Sequence, residues 1–249
     1  MPVREWDGAS YDRISGTMER LGLEVLDRLD LAGDETVLDA GCGSGRITEA
    51  LVARLPRGHV IAVDESPSMT EAARERLGPE VQVLTADLLE LELDEPVDAI
   101  LSTATFHWIA DHDRLFRHLH GILRPGGRLV AQCGGEGNIS ILRGEVAPIM
   151  AEAPYAEHFA GFEPPWNYAS AEVTEERLRA AGFASAHGWL QPAPRQPEEP
   201  REFLANIVLG PHVQQLPGEL RESFMDAVME VLPEPVTVDY VRLNIDAVG

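Results

Sequence analysis

Short apolar runs alternate with helical stripes along the first half of the chain. The runs begin at Val37, His59, Val81 and Pro96, and a fifth starts within residues 123–130. Between them, apolar residues recur at spacings of three and four, which is typical of amphipathic helices packed on a core. Because parallel strands need a crossover between them, the alternation over residues 36–132 predicts an α/β fold with a doubly wound, mostly parallel sheet.

The pattern changes after residues 134–137. We expect helices at 174–181, with Thr174 as its cap, and at 202–209 and 216–232, and strands at 183–190 and 236–245. Residues 1–137 are therefore predicted to form an N-terminal helix and a Rossmann-like core. Residues 138–249 are predicted to supply a helical lid or cap lobe and the final strands of a seven-stranded sheet. The N-terminal helix is predicted over 15–29 from an apolar stripe made by Met18, Leu21, Val25, Leu26 and Leu29.

Composition narrows the classes of protein. The chain has 249 residues, 44% of them hydrophobic, which suffices for one core, and no apolar run approaches the about 20 residues that span a membrane. The net charge of −22 argues against nucleic acid as a partner, because phosphate binding needs a basic surface. Two cysteines and no signal-like start favour the reducing cytoplasm. We expect a small-molecule substrate, no membrane partner, and a monomer or homodimer.

A glycine loop follows the first strand and leads into a helix. It reads Asp39-Ala-Gly41-Cys42-Gly43-Ser-Gly45. Glycines let the backbone approach a ligand closely, and the helix start offers free N–H groups. A dinucleotide loop needs a third glycine where Arg46 stands, and the Asp39 carboxylate repels phosphate but attracts an ammonium group. The loop therefore disfavours NAD, and Cys42 is interpreted as a small side chain rather than a nucleophile.

Carboxylates also follow the next two strands. Asp64 ends the second strand, where a carboxylate accepts hydrogen bonds from ribose hydroxyls; the alternative is that it only helps to start the next helix at Ser66. Asp87 follows the third strand, where it either accepts from an adenine amine or belongs to a solvated acidic face. Met69 either packs on the adenine or fills the core.

The chain resembles the class I S-adenosylmethionine-dependent methyltransferases, and within them the trans-aconitate methyltransferase-like group. The resemblance rests on the glycine loop, on residues 63–69, on the Phe106-His-Trp-Ile109 stretch and on Leu123-Arg-Pro-Gly-Gly127. It implies S-adenosylmethionine as cofactor. It also implies which residues contact each part of the cofactor. Asp64 would contact the ribose, Asp87 would lie near the adenine, and Ser102 and Thr103 would line the methionine side. The loop residues that would hold the methionine end are Asp39, Gly41, Cys42, Gly43 and Gly45. The remaining residues implied to bind the cofactor are Glu65, Met69 and Leu88.

The same resemblance suggests how the substrate binds. Trp108 matches a tryptophan that grips the substrate carboxylate in related enzymes, but the partner glutamine falls near Met18, which cannot donate a hydrogen bond. A hydroxyl or carbon acceptor therefore remains an alternative to a carboxylate. Such an acceptor needs a base, and His107 is the candidate; the other interpretation is that the His107 side chain packs beneath its loop. Tyr11, with Trp6, is expected to close over the cofactor or to anchor the first helix.

Two further groups of residues bear on the site. The aromatic block at 155–168 forms either a roof over the substrate, which implies a bulky apolar acceptor, or the core of the added lobe. His112, His118 and His120 are expected at the surface, and no metal site is predicted.

The sequence thus predicts in-line transfer of a methyl group to a small, apolar or aromatic-bearing metabolite, with oxygen as the favoured acceptor. C- or N-methylation and a non-catalytic partner subunit are the alternatives.

Overall fold

A seven-stranded sheet forms the centre of the computed structural model, which describes the backbone of residues 16–249 and the side chains from Arg20 onward. The strand order is β3-β2-β1-β4-β5-β7-β6, with β7 antiparallel to both of its neighbours and every other pair parallel in direction. The predicted doubly wound, mostly parallel α/β sheet is confirmed. The strands are β1 (Thr36–Ala40), β2 (His59–Asp64), β3 (Gln82–Thr85), β4 (Val97–Thr103), β5 (Leu123–Gly134), β6 (Ser185–Pro192) and β7 (Val241–Val248).

Helices cover both faces of this sheet. One face packs on α1 and α2 through a cluster that includes Leu26 and Leu51, and the other packs on α4 and α7 through Phe116 and Leu178. Strands covered on both faces are buried along most of their length, as in β1, where residues 37–40 are all buried. The helices are α1 (Gly16–Leu26), α2 (Arg46–Arg54), α3 (Pro67–Leu77), α4 (His112–Ile122), α5 (Ser140–Met150), α6 (Ala156–Phe159), α7 (Ala171–Ala181), α8 (Pro200–Phe203), α9 (Gly210–Gln215) and α10 (Gly218–Val231).

A buried polar network ties the segment after α1 to the sheet. The Arg28 guanidinium donates to the Ala131 carbonyl at 2.7 Å, bonds the Asn244 side chain, and lies 4.9 Å from the Trp189 ring centroid. Gln132 donates to the same Asn244 oxygen at 2.8 Å. One arginine thus contacts β5, β6 and β7, which fixes their relative positions.

The remaining helices form a lobe with a core of its own. Residues 139–162 and 203–240 contribute to it, with Leu204, Phe224 and Val228 fully buried. Tyr155 and Phe159 of the aromatic block pack in this core against Phe224. Two short segments join the main elements, a 3-10 turn (Phe106–Trp108) after β4 and a π-helical turn (Leu204–Val208) between α8 and α9.

Several predicted boundaries are wrong. Helix α7 begins at Ala171 because Ser170 caps it, accepting from Val173 N–H at 3.2 Å, whereas Thr174 is buried inside the helix. The last strand begins at Val241 rather than at 236, since Val238 forms only an isolated bridge with Arg195. The predicted helix at 202–209 is divided between α8 and the π-helical turn, and Leu209 immediately precedes α9. Helix α5 was not predicted.

Within the described part of the chain, no helix combines the length and the apolar character that crossing a membrane requires.

Candidate functional site

The glycine loop turns sharply between β1 and α2. Gly41, Gly43 and Gly45 have φ values of 86°, 53° and 83°, which side chains disfavour. A Cβ on Gly41 would lie 2.0 Å from Oγ1 of Thr105, so the loop packs directly on the segment after β4. A Cβ on Gly43 would meet no atom of the described residues within 4 Å. Among these residues, the Gly43 backbone therefore has open space beside it, as a ligand-binding loop requires.

Asp64 holds the loop against the end of β2. Its Oδ2 accepts from the Gly43 N–H and its Oδ1 from the Ser66 N–H, both at 2.9 Å. The N–H groups of Gly41 and Cys42 donate to the Val63 carbonyl. Burial raises the pKa of Asp64, and these two backbone donors counteract the rise. The predicted ribose-binding carboxylate thus shapes the loop, and Ser66 caps α3 as the alternative reading expected.

Asp39 lies behind the loop and is buried. Its Oδ2 accepts from the Thr48 hydroxyl at 2.7 Å, whereas its Oδ1 has no hydrogen-bond partner within residues 16–249. Burial, reinforced by the charge of Asp64, raises the pKa of Asp39 to about 6. A buried carboxylate oxygen without a donor is a fitting partner for the ammonium group of S-adenosylmethionine.

The other residues predicted on the nucleoside side lie around the ends of β2 and β3. The Glu65 pKa is raised by burial and then by the charges of Asp87 and Asp64, so the three carboxylates lie near one another. Asp87 is exposed, and its Oδ1 accepts from the Leu89 N–H at 2.8 Å. Leu88 packs in the core beneath the sheet.

Three predicted cofactor residues have structural roles that are visible here. Met69 is buried on α3, and Cys42 is buried in the loop, where burial raises its thiol pKa well above the usual value. The Ser102 hydroxyl donates to the Ala40 carbonyl at 2.6 Å and so joins β4 to β1. Thr103, half-buried, ends β4 beside it. The structure therefore brings together at one edge of the sheet the predicted cofactor residues.

A pocket opens beyond the end of β4, toward the helical lobe. Its cavity volume is about 50 Å³, which is small for a preformed small-molecule site. Trp108 packs edge-to-face on Trp166, and Trp166 stacks on Tyr168 with ring centroids 5.5 Å apart. The described lining is Ala104, His107, Trp108, Asn138, Ile139, Trp166, Tyr168, Ile207, Val208, Tyr240 and Arg242.

His107 is buried in the wall of this pocket. Its Nδ1 accepts from the Gly134 N–H at 3.3 Å, and its ring stacks on Tyr168. A neutral histidine that accepts at Nδ1 carries its proton on Nε2, so this hydrogen bond assigns Nε2 as a donor. The aromatic block is thus divided: Tyr155 and Phe159 belong to the core of the lobe, whereas Trp166 and Tyr168 line the pocket.

The predicted surface position of His112 is wrong. This side chain is buried, its Nε2 bonds the Phe106 carbonyl at 2.9 Å, and burial lowers its pKa. Tyr11 and Trp6 lie outside the described residues, as does the Met18 side chain. Over residues 16–249, no group of three or more His, Cys, Asp or Glu side chains is arranged to hold a metal ion.

Sequence reasoning missed Arg242 and Tyr240, and also Ile207 and Val208 of the π-helical turn, all of which line the pocket. The available signal was the polar residues Arg242 and Asn244, which alternate with Leu243 and Ile245 on the last strand. Such alternation is also typical of a solvated face, so the pattern alone does not distinguish the two.

Comparison with known proteins identifies related sequences. Residues 37–127 match the model of a methyltransferase domain. A trans-aconitate 2-methyltransferase from Methylobacterium nodulans is 33% identical over 194 residues, which are 77% of this chain and 69% of that protein. Another, from Paracidovorax citrulli, is 29% identical over 97% of this chain and 95% of its own length.

Solved structures share the fold. The YcgJ protein of Bacillus subtilis aligns with a TM-score of 0.63 at 18% identity, over 92% of this chain and 97% of that one. Phosphoethanolamine N-methyltransferase 2 of Haemonchus contortus, in complex with S-adenosyl-L-methionine, aligns with a TM-score of 0.60 at 18% identity, over 97% and 56%. The chain therefore belongs to the class I S-adenosylmethionine-dependent methyltransferases, in the trans-aconitate methyltransferase-like group, and uses S-adenosylmethionine as its cofactor.

Proposed function

We propose that this chain transfers a methyl group from S-adenosylmethionine to a carboxylate oxygen of a small molecule. Both of the relatives described above carry the name trans-aconitate 2-methyltransferase. The observation that carries the proposal is the pocket beyond β4, because its wall includes His107 and Trp108 and continues from the strand whose end meets the glycine loop. An acceptor in that pocket lies beside the cofactor loop.

The cofactor's contacts follow from the described geometry. Oδ1 of Asp39 would accept from its ammonium group, and the open space at Gly43 would take its methionine end. Each oxygen of Asp64 already accepts one backbone N–H and keeps a second lone pair for a ribose hydroxyl. We assign Met69, Leu88 and the carboxylates of Glu65 and Asp87 to the nucleoside side. Ser102 and Thr103 are assigned to the methionine side.

A carboxylate acceptor needs no base. When bound, the cofactor supplies a methyl group on a sulfonium sulfur; its C–S bond breaks as the C–O bond forms, leaving a thioether and a methyl ester. His107, with its proton on Nε2, acts in this proposal as a hydrogen-bond donor to the acceptor. Trp108 and Trp166 exclude water and orient the acceptor. Holding the reacting groups in line contributes about 7–11 kcal/mol to such reactions.

Calorimetric titration tests the cofactor site. We expect S-adenosylmethionine and S-adenosylhomocysteine to bind the purified protein, and Asp64→Asn to weaken both by about 10-fold or more, since hydrogen bonds to charged groups contribute about 1.5–3 kcal/mol. Asp94→Asn, at an exposed carboxylate outside the site, is the control and should bind normally. Unchanged affinity in Asp64→Asn would favour the non-catalytic alternative.

The chemistry of the product tests the acceptor group. The protein is incubated with methyl-labelled cofactor and a panel of carboxylic acids that includes trans-aconitate. A carboxyl methyl ester releases labelled methanol in mild alkali, whereas ethers, amines and C-methylated products keep the label. Label that resists alkali would contradict carboxylate methylation and leave the cofactor site unaffected.

A further inference from the structure

Tyr168 lies in the wall of the pocket beyond β4, and its ring is held by two other rings. It stacks on His107 with centroids 5.8 Å apart and on Trp166 with centroids 5.5 Å apart. The residue before it is also fixed, because the Asn167 N–H donates to the His107 carbonyl at 2.8 Å. The Tyr168 ring therefore has little freedom to move, and the position of its hydroxyl is defined.

Asn138 determines how that hydroxyl forms hydrogen bonds. Asn138 is buried, and its Oδ1 accepts from the Val241 N–H at 2.9 Å, so its Nδ2 is the atom left to face other groups. A Cβ on Gly134 would lie 2.6 Å from Cε1 of Tyr168 and 3.0 Å from this Nδ2, so both side chains pack on the same glycine.

The Asn138 side chain hydrogen-bonds the Tyr168 hydroxyl, and among the described residues it is the one hydrogen-bond partner of that hydroxyl. An amide nitrogen only donates, so the tyrosine oxygen accepts this hydrogen bond. The Tyr168 proton is therefore left to bond another acceptor, and Tyr168 lines the pocket.

The charges around Tyr168 favour an anion beside it. Burial raises the pKa of Tyr168 above its ordinary value of 10.0, so the phenol keeps its proton and stays a donor at neutral pH. The charges of Arg242 and Arg143 oppose this rise in the pKa, so their positive potential reaches the Tyr168 oxygen. Whatever their other partners, the same potential would stabilise a negative charge on a ligand oxygen at this position.

The backbone of the pocket wall is strained at two positions. Ala104 and Ile139, with φ values of 57° and 51°, are the two non-glycine residues with positive φ in the described part of the chain, and both line the pocket. Their N–H groups donate to the carbonyls of Gln132 and Asp239 at 2.7 and 3.0 Å, which holds them there. Such strain is typical of preorganised functional sites, and Ile139 directly follows Asn138.

The cavity has the size of one functional group. Its volume is about 50 Å³. A buried water needs about 10–15 Å³ of such space, so the cavity holds about three or four water-sized groups. A carboxylate, with one carbon and two oxygens, fits this space, whereas the body of a metabolite would remain outside it.

We propose that Tyr168 binds the acceptor, its hydroxyl donating a hydrogen bond to one carboxylate oxygen while Asn138 orients that hydroxyl. This inference rests on the proposed function and names the residue that holds its acceptor group. The oxygen bonded to Tyr168 becomes the carbonyl oxygen of the ester. The other oxygen attacks the methyl carbon with an electron pair, and the C–S bond breaks with its pair staying on sulfur. No proton is transferred in this step.

Formate is the probe, because it is a carboxylate small enough for the cavity. It is titrated into protein that is saturated with S-adenosylhomocysteine and isotope-labelled in its tyrosine rings for magnetic resonance. The chain has four tyrosines, so the signal that Tyr168→Phe removes is readily assigned. We expect formate to shift this signal saturably and to bind at least about 10-fold more tightly than formamide, which is uncharged and of the same size. Sodium chloride at equal concentration controls for ionic strength.

Broadening of the formate resonance measures the affinity of the variants. Tyr168→Phe should bind formate about 10- to 100-fold more weakly, because a hydrogen bond to a charged group is lost. Tyr155→Phe, whose ring packs on Phe224 outside the described lining, is the matched control and should bind formate as the native protein does. Both variants should bind S-adenosylhomocysteine normally.

Asn138→Asp tests the orientation of the hydroxyl. Its carboxylate keeps an acceptor for the Val241 N–H and offers a second acceptor to the Tyr168 proton, which then turns away from the cavity. Formate affinity should fall. Adding Tyr168→Phe to this variant should change the affinity by less than about 2-fold, since the hydrogen bond to formate is already lost. A further loss as large as in the native background would show that Asn138 does not orient Tyr168.

The possible failures can be told apart. If S-adenosylhomocysteine binds but formate up to about 100 mM leaves the Tyr168 signal unchanged, or binds Tyr168→Phe as tightly as the native protein, Tyr168 does not hold the acceptor and the proposed function stands. Absence of cofactor binding in the native protein, or labelled products that all resist alkali, would instead contradict the proposed function. Saturable binding of formate through Tyr168 would still support the anion site in that case.

Discussion

Asp39 gives the most direct test of the cofactor loop. Replacing it with asparagine keeps its shape and its acceptor for the Thr48 hydroxyl while removing the charge. In the folded protein the Asp39 pKa is about 6, against an ordinary value of 3.8. Between those values the folded state holds a proton that the unfolded state has lost, so the free energy of unfolding falls as the pH rises. The difference between the two pKa values corresponds to about 3 kcal/mol of unfolding free energy, and the native protein has lost all of it above pH 6.

Chemical denaturation of both proteins at several pH values measures this effect. We expect Asp39→Asn to gain about 3 kcal/mol of unfolding free energy relative to the native protein between pH 4 and pH 7. The same variant should bind S-adenosylhomocysteine about 10- to 100-fold more weakly, because the ammonium group loses its carboxylate. If the unfolding free energies of the two proteins changed with pH in parallel, or if the cofactor affinity were unchanged, Asp39 would not be a buried carboxylate that binds the ammonium group of the cofactor.

Three further changes are expected to have measurable effects. Gly43→Ala should lower the free energy of unfolding by about 1–2 kcal/mol because the φ angle of Gly43 is positive. The same variant should show no cofactor binding in calorimetry. Gly78→Ala, whose glycine also has a positive φ and no described atom within 4 Å of an added Cβ, is the control and should bind the cofactor normally. His212→Phe should make the free energy of unfolding less sensitive to acid. In the folded native protein the pKa of His212 is about 4, against an ordinary value of 6.5, so the unfolded state binds the proton first. The native protein therefore loses about 3 kcal/mol of unfolding free energy as the pH falls from 6.5 to 4, and the variant should not. Arg28→Leu should cost about 2–4 kcal/mol in urea denaturation, since it leaves the polar partners on β7 without their cation.

The cofactor half of the fold could be predicted from local patterns. The strand ends, glycine turns and helix starts between residues 36 and 132 each depend on a few neighbouring residues, so the local sequence predicts them without knowledge of long-range contacts. Asp64 illustrates this, because a carboxylate at a strand tip next to a glycine loop has few other positions available. Its role in holding Gly43, however, appears only in three dimensions.

The acceptor half could not be predicted to the same depth. Helix α5 contains Gly144 and Pro148, which hide its apolar face from pattern analysis. The aromatic block was divided between a core and a pocket by its packing on Phe224 and Trp108, residues that are remote in sequence. Burial of His112 likewise depends on the carbonyl of Phe106 in the 3-10 turn. Long-range packing decided each of these positions.

The position of β7 also determines when the sheet becomes complete during synthesis. This strand inserts between β5 and β6, although both precede it in the chain. Until residues 241–248 leave the ribosome, β5 and β6 each present a row of unpaired backbone groups, which readily recruit other chains. The nascent protein can thus form the strands around the glycine loop while the part of the pocket that includes Arg242 is still missing. Chains that terminate prematurely, before residue 241, are therefore expected to aggregate rather than to persist as indiscriminate methylating enzymes.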